Sequence, residues 1–291
     1  MTTILRTVAE VRAWRRALPP SQTVALVPTM GALHAGHLSL MALARNRAMT
    51  TIASIFVNPL QFAPGEDLEK YPRPIERDLA LLQAAGIDAV FLPTPEELYP
   101  EDASTVVVEE RVSQPLCGAV RPGHFRGVAT VVLKLFNIVV PDLAVFGQKD
   151  AQQCMVIARM VRDLNLPIEI VRGPIVREPD GLALSSRNVY LNPADRAAAP
   201  RIFASLEAAR LALESGEPNA AALAVIGRAV LAAAPGITLQ YWDIRHPESL
   251  AAIETIGADG ALFAVAAHLG ATRLIDNLLV GGANNHSVES P

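Results

Sequence analysis

Over its first 175 residues the chain alternates short apolar runs with longer stretches in which apolar positions recur every three or four residues. Strand side chains repeat every two residues and helical ones every 3.6, so the short runs predict buried strands and the longer stretches helices. TVALVPT (23–29) predicts a strand ended by Pro28, which has no backbone donor. Residues 36–49 predict a helix with Leu40, Leu43 and Ala44 on one face, and TIASIFV (51–57) a second strand. A polar, proline-containing loop, NPLQFAPGEDLEKYPR, leads to a helix at 75–85, then Gly86 and a third strand at 88–92. TVVVE (105–109) predicts a short extra strand. HFRGVATVVLKLFNIVV (124–140) is too apolar for a surface helix and is expected to cross the interior. A strand at 142–148, a helix at 151–164 with Cys154, Ile157, Ala158 and Val161 on one face, and a strand at 167–171 complete the alternation.

Strands separated by single helices imply an α/β fold: a Rossmann-like, doubly wound parallel sheet with helices on both faces. Such sheets bind ligands beyond the carboxyl ends of their strands, which marks 29–37, 58–61, 147–153 and 176–187. Past residue 190 the texture changes. Ala/Leu-rich helices at 194–214 and 219–233 precede strands at 237–242, 261–267 and 272–276, a smaller α+β unit. The expected organisation is a ligand-binding domain over 1–175, a C-terminal lid domain over 176–282, and a mobile tail, 283–291, with few apolar anchors.

Composition narrows the class. Of 291 residues, 51% are hydrophobic and 19% charged, enough apolar material for a sizeable core. The net charge of −4, with no basic block, argues against a nucleic-acid binder, though a small anionic ligand needs only a few local cations. Cys117 and Cys154 form no CxxC pair or zinc-spaced cluster and are expected to be half-buried thiols. No signal peptide or membrane span is expected, which gives a soluble, cytosolic protein.

Four strand-end motifs carry candidate chemistry. In VPTMGALHAGHLSL (27–40), Gly31 permits a tight turn, and His34 and His37 fall at the mouth of a helix, where free N–H groups and the helix dipole favour an anion. No GK[ST] follows, so this is not a P-loop, and no further Cys or His completes a zinc site. By itself the pair also reads as helix-start histidines without a task. HxGH after a strand resembles the nucleotidyltransferase superfamily, where it lies under ATP phosphates. FVNPLQF (56–62) offers the amides of Asn58 and Gln61, or an ordinary polar turn. FGQKDAQQ (146–153) offers Lys149 to phosphate, with Gln153 four residues on, while Asp150 and Gln153 also match a helix cap. REPDGLALSSRN (177–188) sets two serines and an arginine after a turn, and resembles the mobile KMSKS loop of class I aminoacyl-tRNA synthetase-like enzymes.

Taken in order, PTMGALHAGHLSL, FVNPLQF, YPR (71–73), RPGHFRGVATVV (121–132), FGQKDAQQ and LSSRN resemble the pantoate–β-alanine ligase family from about residue 20 to 280. The resemblance implies ATP-dependent condensation of pantoate with β-alanine through a pantoyl-adenylate, with Mg²⁺, AMP and pyrophosphate, in a homodimer. It implies that Met30, Gly31, Ala32, Leu33, His34, Ala35, Gly36 and His37 line the ATP site, with His37 as proton donor and His34 its partner on the phosphates. Gly147, Gln148, Lys149 and Asp150 would contact ATP, Lys149 at the phosphates and Asp150 at the ribose. Val176, Leu184, Ser185, Ser186 and Arg187 would complete the nucleotide pocket. Gln61 would hold pantoate and later β-alanine, and Gln153 pantoate. Gln148 stands where glutamate is commoner and Leu184 where methionine is, the latter a swap of similar volume. Asp78 is either a magnesium-side acid or a solvated helix charge, and the metal ligands stay unassigned because Arg77 replaces a second acid. Two rivals are a nucleotidyltransferase that leaves the nucleotide on its product and a non-enzymatic nucleotide-binding regulator; NPLQF and KDAQQ favour ligation of a small hydroxy acid.

Overall fold

The computed structural model describes residues 2–63 and 65–282; the tail at 283–291 lies outside the described residues. The described chain forms two compact units. One holds the chain up to Ser113, Gly118–Gln148 and Gln152–Gly173; the other holds Gln114–Cys117, Lys149–Ala151 and the chain from Pro174 onward.

In chain order up to residue 173 the elements are β1 (Thr3–Leu5), α1 (Val8–Ala17), β2 (Val24–Thr29), α2 (Ala35–Arg47), β3 (Thr50–Ile55), α3 (Ile75–Ala84), β4 (Ala89–Phe91), α4 (Pro95–Leu98), α5 (Cys117–Val120), α6 (His124–Val139), β5 (Leu143–Gly147), α7 (Ala151–Asp163) and β6 (Glu169–Gly173), with 3₁₀ turns at Pro59–Gln61 and Gln148–Asp150. All six strands are parallel, in the order β1-β4-β3-β2-β5-β6. Because β3 lies on one side of β2 and β5 on the other, strand order reverses there, and such a switch point opens a crevice at the carboxyl ends. Pro28 sharpens that crevice. It does not end β2: pairing with β3 continues through Pro28 and Thr29, whereas pairing with β5 covers only Ala25 and Leu26. Val24 accepts from Asp142 on the β5 side, and side-to-side alternation turns Pro28 the same way, where its missing donor stops the ladder.

The central strands are largely apolar, and β3 is buried along its whole length, because both sheet faces are covered. On one face Ala53, Ile55 and Val90 pack with Met41 and Ala44 of α2 and Leu82 of α3. The apolar 124–140 stretch is α6 and is largely buried. β1 and α1 are additional to the expected elements. Thr7 and Glu10 cap α1 reciprocally: Thr7 Oγ1 accepts from Glu10 N at 3.2 Å, and Glu10 Oε2 from Thr7 N at 3.0 Å. Residues 105–109 form no strand, and Val107 N donates instead to Thr130 Oγ1 at 2.9 Å.

In the second unit, α8 (Pro193–Ala198), α9 (Arg201–Glu214) and α10 (Ala220–Ala232) accompany the antiparallel sheet β7 (Ile237–Arg245), β8 (Ala261–Leu269), β9 (Thr272–Val280), in that order. The helix expected at 194–214 is two helices, broken where Pro200 lacks the donor to continue the first. Trp242 is fully buried and donates from Nε1 to Ser205 Oγ at 3.0 Å. A Cβ at Gly227 would lie 2.4 Å from its ring, so α10 approaches β7 this closely only with glycine there. No helix among the described residues is long and apolar enough to cross a membrane.

Candidate active site

The histidine segment is shaped by two hydroxyl contacts and a carboxylate. At the end of β2, Thr29 Oγ1 donates to Ser54 O at 2.7 Å and accepts from Gly31 N at 3.2 Å. Gly31 and Ala32 then take left-handed conformations, φ +82° and +52°. That geometry is uncommon for alanine and is stabilised by Asp78 of α3, whose two carboxylate oxygens accept from Ala32 N at 2.7 Å and Leu33 N at 2.9 Å. Asp78 is fully buried, which corrects the solvated-charge alternative for it: the carboxylate clamps the loop. A Cβ at Gly31 would sit 3.0 Å from Asp78 Oδ2, so any other residue would crowd the clamp as well as strain the positive φ.

With Leu33 buried, His34 opens α2 as its N-cap residue. Its backbone N–H donates to His37 Nδ1 at 3.3 Å, and the rings lie 4.1 Å apart at 39°. An accepting Nδ1 leaves the proton of the neutral His37 ring on Nε2, a donor at a helix N-terminus. Met30, Gly36 and His37 are partly exposed and Ala35 exposed, whereas Gly31, Ala32 and Leu33 are buried.

After β3, the two amides of NPLQ divide their work. Asn58 is fully buried: it caps the 3₁₀ turn through Leu60 N, donates from Nδ2 to Gly127 O at 3.1 Å, and accepts from Tyr99 OH at 2.9 Å. Burial pushes the Tyr99 phenol well above its ordinary value, so it stays a donor. Gln61 is the partly exposed amide. Its Oε1 accepts from Asn58 Nδ2 at 3.2 Å and its Nε2 reaches Met30 Sδ at 2.8 Å, which brings together two residues expected to line the site. The turn lies against α6 at Gly127, where a Cβ would come 2.2 Å from Leu60 O. His124 Nδ1 lies 2.8 Å and Arg121 Nη2 3.2 Å from Gln61 O, and Glu66 holds Arg121 with contacts at 2.7 and 2.6 Å. Arginine has no acceptor, so His124 Nε2, 3.1 Å from Arg121 Nη1, must accept, and the ring proton sits on Nδ1 facing the Gln61 carbonyl. Arg121 and His124 belong to RPGHFRG, a motif whose spacing alone assigns its charged residues no role.

β5 ends at Gly147, followed by Gln148, at the carboxyl end beside the β2 crevice. Gln153 is partly exposed on α7, while its neighbour Gln152 is buried and donates to Val112 O at 2.9 Å.

The second unit carries the cations. Lys149 is mostly buried and lies 4.0 Å from the Asp150 carboxylate, which is half-exposed. Val176 and Leu184 are brought together: Leu184 N donates to Val176 O at 3.0 Å, closing a hairpin that turns at Gly181. Ser185 caps the next 3₁₀ turn, Ser186–Tyr190, by accepting from Arg187 N at 3.2 Å. Arg177, at the root of the hairpin, forms a two-point pair with Asp276 at 2.6 and 3.0 Å and stacks 3.7 Å over Phe203. Burial holds the Asp276 carboxyl above its ordinary value, against the opposing hydrogen bonds and charge of Arg177.

Among the described residues no group of three His, Cys, Asp or Glu side chains could hold a metal ion. Magnesium keeps several waters and is commonly held through substrate phosphates with one or two carboxylates. The donor set therefore fits a cation brought by a polyphosphate and offers no resident cage. Cys117 and Cys154 are both buried and not disulfide-bonded.

The family model described as pantoate-beta-alanine ligase matches residues 3–279. Pantothenate synthetase from Chloroflexus aurantiacus is 53% identical over 279 residues, covering 96% of this chain and 98% of the relative. That from Thermoanaerobacter pseudethanolicus is 54% identical over 258 residues, covering 89% and 91%. Among solved structures, pantothenate synthetase from Thermus thermophilus superposes with a TM-score of 0.91 at 50% identity, covering 96% of this chain and 100% of the other. Pantoate-beta-alanine ligase from Francisella tularensis, complexed with beta-gamma ATP and beta-alanine, gives 0.80 at 32% identity, covering 96% and 98%.

Proposed function

The chain belongs to the pantoate–β-alanine ligase family, and from that premise we propose that it joins pantoate to β-alanine at the expense of ATP, by way of a pantoyl-adenylate. The observation that carries the reading is the clamped histidine turn at the switch point of the sheet: Asp78 fixes the backbone, the His34 N–H fixes the His37 ring, and a helix start lies behind both.

In the first step a pantoate carboxylate oxygen bonds to the α-phosphorus of ATP, the bond from that phosphorus to the bridging oxygen breaks, and pyrophosphate leaves with that electron pair. No protein nucleophile is required. The protein's contribution is alignment and neutralisation of charge building on phosphate oxygens. His37 Nε2–H, with His34, donates to those oxygens, Lys149 and Arg187 supply positive charge, and Asp150 takes the ribose. Gln61 and Gln153 hold the hydroxy acid by its hydroxyl and carboxylate. Magnesium, when bound with ATP, supplies further neutralisation of the polyphosphate. In the second step the neutral amine of β-alanine attacks the acyl carbon, the acyl–oxygen bond breaks, AMP leaves with the oxygen, and the amine loses a proton. Gln61 serves both steps. The 176–282 region is read as a lid domain whose 177–188 loop shields the anhydride from water. A cytoplasmic homodimer completes the reading, with exposed Val106 and Val108 as apolar surface available for an interface.

Pantoate-dependent exchange of labelled pyrophosphate into ATP, run without β-alanine, tests the adenylation step. Exchange that requires pantoate is the expected result. Absence of exchange, with stable transfer of AMP to another acceptor, overturns it.

A further inference from the structure

Asp276 and Asn277 are adjacent on β9, one of the two outer strands of the C-terminal sheet, and both are buried. Neither belongs to a motif with an assigned role, yet each reaches a segment that carries a cation. Asn277 donates from Nδ2 to the backbone carbonyl of Lys149 at 2.9 Å. That contact fixes the peptide plane after Lys149 and, with it, the direction in which the lysine side chain leaves a short 3₁₀ turn. Asp276 grips Arg177 at two points, and Arg177 in turn donates to Gly181 O at 3.1 Å. The hairpin so held runs from Arg177 to Ala183, with Glu178 N donating to Leu182 O at 2.8 Å, and leads directly into Leu184–Arg187. Asp276 Oδ1 also accepts from the backbone N–H of Asn277 at 2.8 Å, which fixes the Asp276 carboxylate to the strand at that position.

We propose that Asp276 and Asn277 are positioning residues for adenylation: Asn277 orients Lys149, and Asp276, through Arg177, orients the loop bearing Arg187. Two neighbours on one strand thereby set both cation-bearing segments. Neither touches substrate. The inference rests on the reading that Lys149 and Arg187 act on the triphosphate, and it adds how they are aimed. An oriented donor displaced by about 1 Å can lose roughly a hundredfold in rate, so a single amide behind Lys149 has catalytic weight.

The test is a pair of double-mutant cycles read in pantoate-dependent pyrophosphate exchange. Asn277→Ala is expected to lower kcat by about tenfold or more with KM for pantoate changed by less than about twofold. In a Lys149→Ala background the same change should cost less than about twofold, because its effect runs through the lysine. Asp276→Asn should behave likewise with Arg187→Ala, while Asn277→Ala and Arg187→Ala should multiply. Asn277→Asp keeps side-chain volume but removes the amide donor, and should show the Asn277→Ala loss even if the alanine variant folds poorly. Full multiplication of the Asn277 and Lys149 effects, or an Asn277 variant with wild-type kcat, overturns the proposal. A wild-type protein without pantoate-dependent exchange would instead overturn the functional reading beneath it.

Discussion

Two buried aspartates hold the two loops that carry phosphate-binding candidates, with different partners. Asp78 takes two backbone N–H groups of the histidine turn, so the loop is fixed at its peptide planes and needs no second charge. Asp276 takes a guanidinium, and its loop hangs from a side chain at the hairpin root. The first arrangement acts directly on the peptide groups of the residues just before His34. The second leaves seven positions between Arg177 and Ser185 to transmit the hold, as suits a segment proposed to close over a nucleotide. The same carboxylate chemistry, applied to different donors, thus holds one loop by its peptide planes and the other by a side chain.

The largest expected effect lies in turnover. His37→Ala and Lys149→Ala should each lower kcat by about 10²–10³, the usual loss for one oriented donor, with melting temperatures little changed. Wild-type turnover in either variant breaks the assignment of that residue. Next comes Arg177→Ala, which strands a buried carboxylate and should cost about 3–5 kcal/mol in urea denaturation. Asp78→Asn should cost about 1–3 kcal/mol, because one of two buried N–H groups then faces an amide N–H₂. If Asp78→Asn proves the more damaging to stability, the contrast between a peptide clamp and an ion-pair clamp fails. Gln61→Ala should weaken pantoate use by roughly tenfold while leaving ATP binding nearly intact, in line with the loss of about one hydrogen bond to a charged group. Equal losses for both substrates would remove Gln61 from the pantoate site.

The smallest effect concerns pH. Burial alone would raise the Glu66 carboxyl, but its hydrogen bond and ion pair with Arg121 prevail and hold it below its ordinary value of 4.5. The unfolded chain therefore binds this proton more readily, so the contribution of Glu66 to stability is complete above pH 4.5 and lost as pH falls through the lowered value. The group is partly exposed, and screening keeps the effect under about 1 kcal/mol. Wild-type and Glu66→Gln stabilities should differ at neutral pH and converge in acid. A gap that widens on acidification has the wrong sign.

The sheet was legible because its interior strands are short, mostly apolar runs: Val24–Val27 is apolar at every position, and in Ile52–Ile55 only Ser54 is polar. β1 was not, since three residues at a sheet edge with a partly exposed face carry no periodicity. TVVVE misled in the opposite direction: β-branched residues favour extended backbone, but a strand also needs a partner strand, and the Val107 N–H donates to a side-chain hydroxyl instead. At the site, His34, His37, Gln61 and Lys149 stood out by type and by place after a strand. Asp78, His124 and Asn277 did not. Each acts on the backbone of a residue 46, 63 or 128 positions away, and pairing over such distances leaves no local spacing to read.

The most direct measurement follows oxygen. With pantoate labelled by ¹⁸O in its carboxylate, turnover in the presence of ATP and β-alanine should place one labelled oxygen in AMP and none in pyrophosphate. Label in pyrophosphate or in orthophosphate, or AMP without label, would mean that the carboxylate does not attack the α-phosphorus.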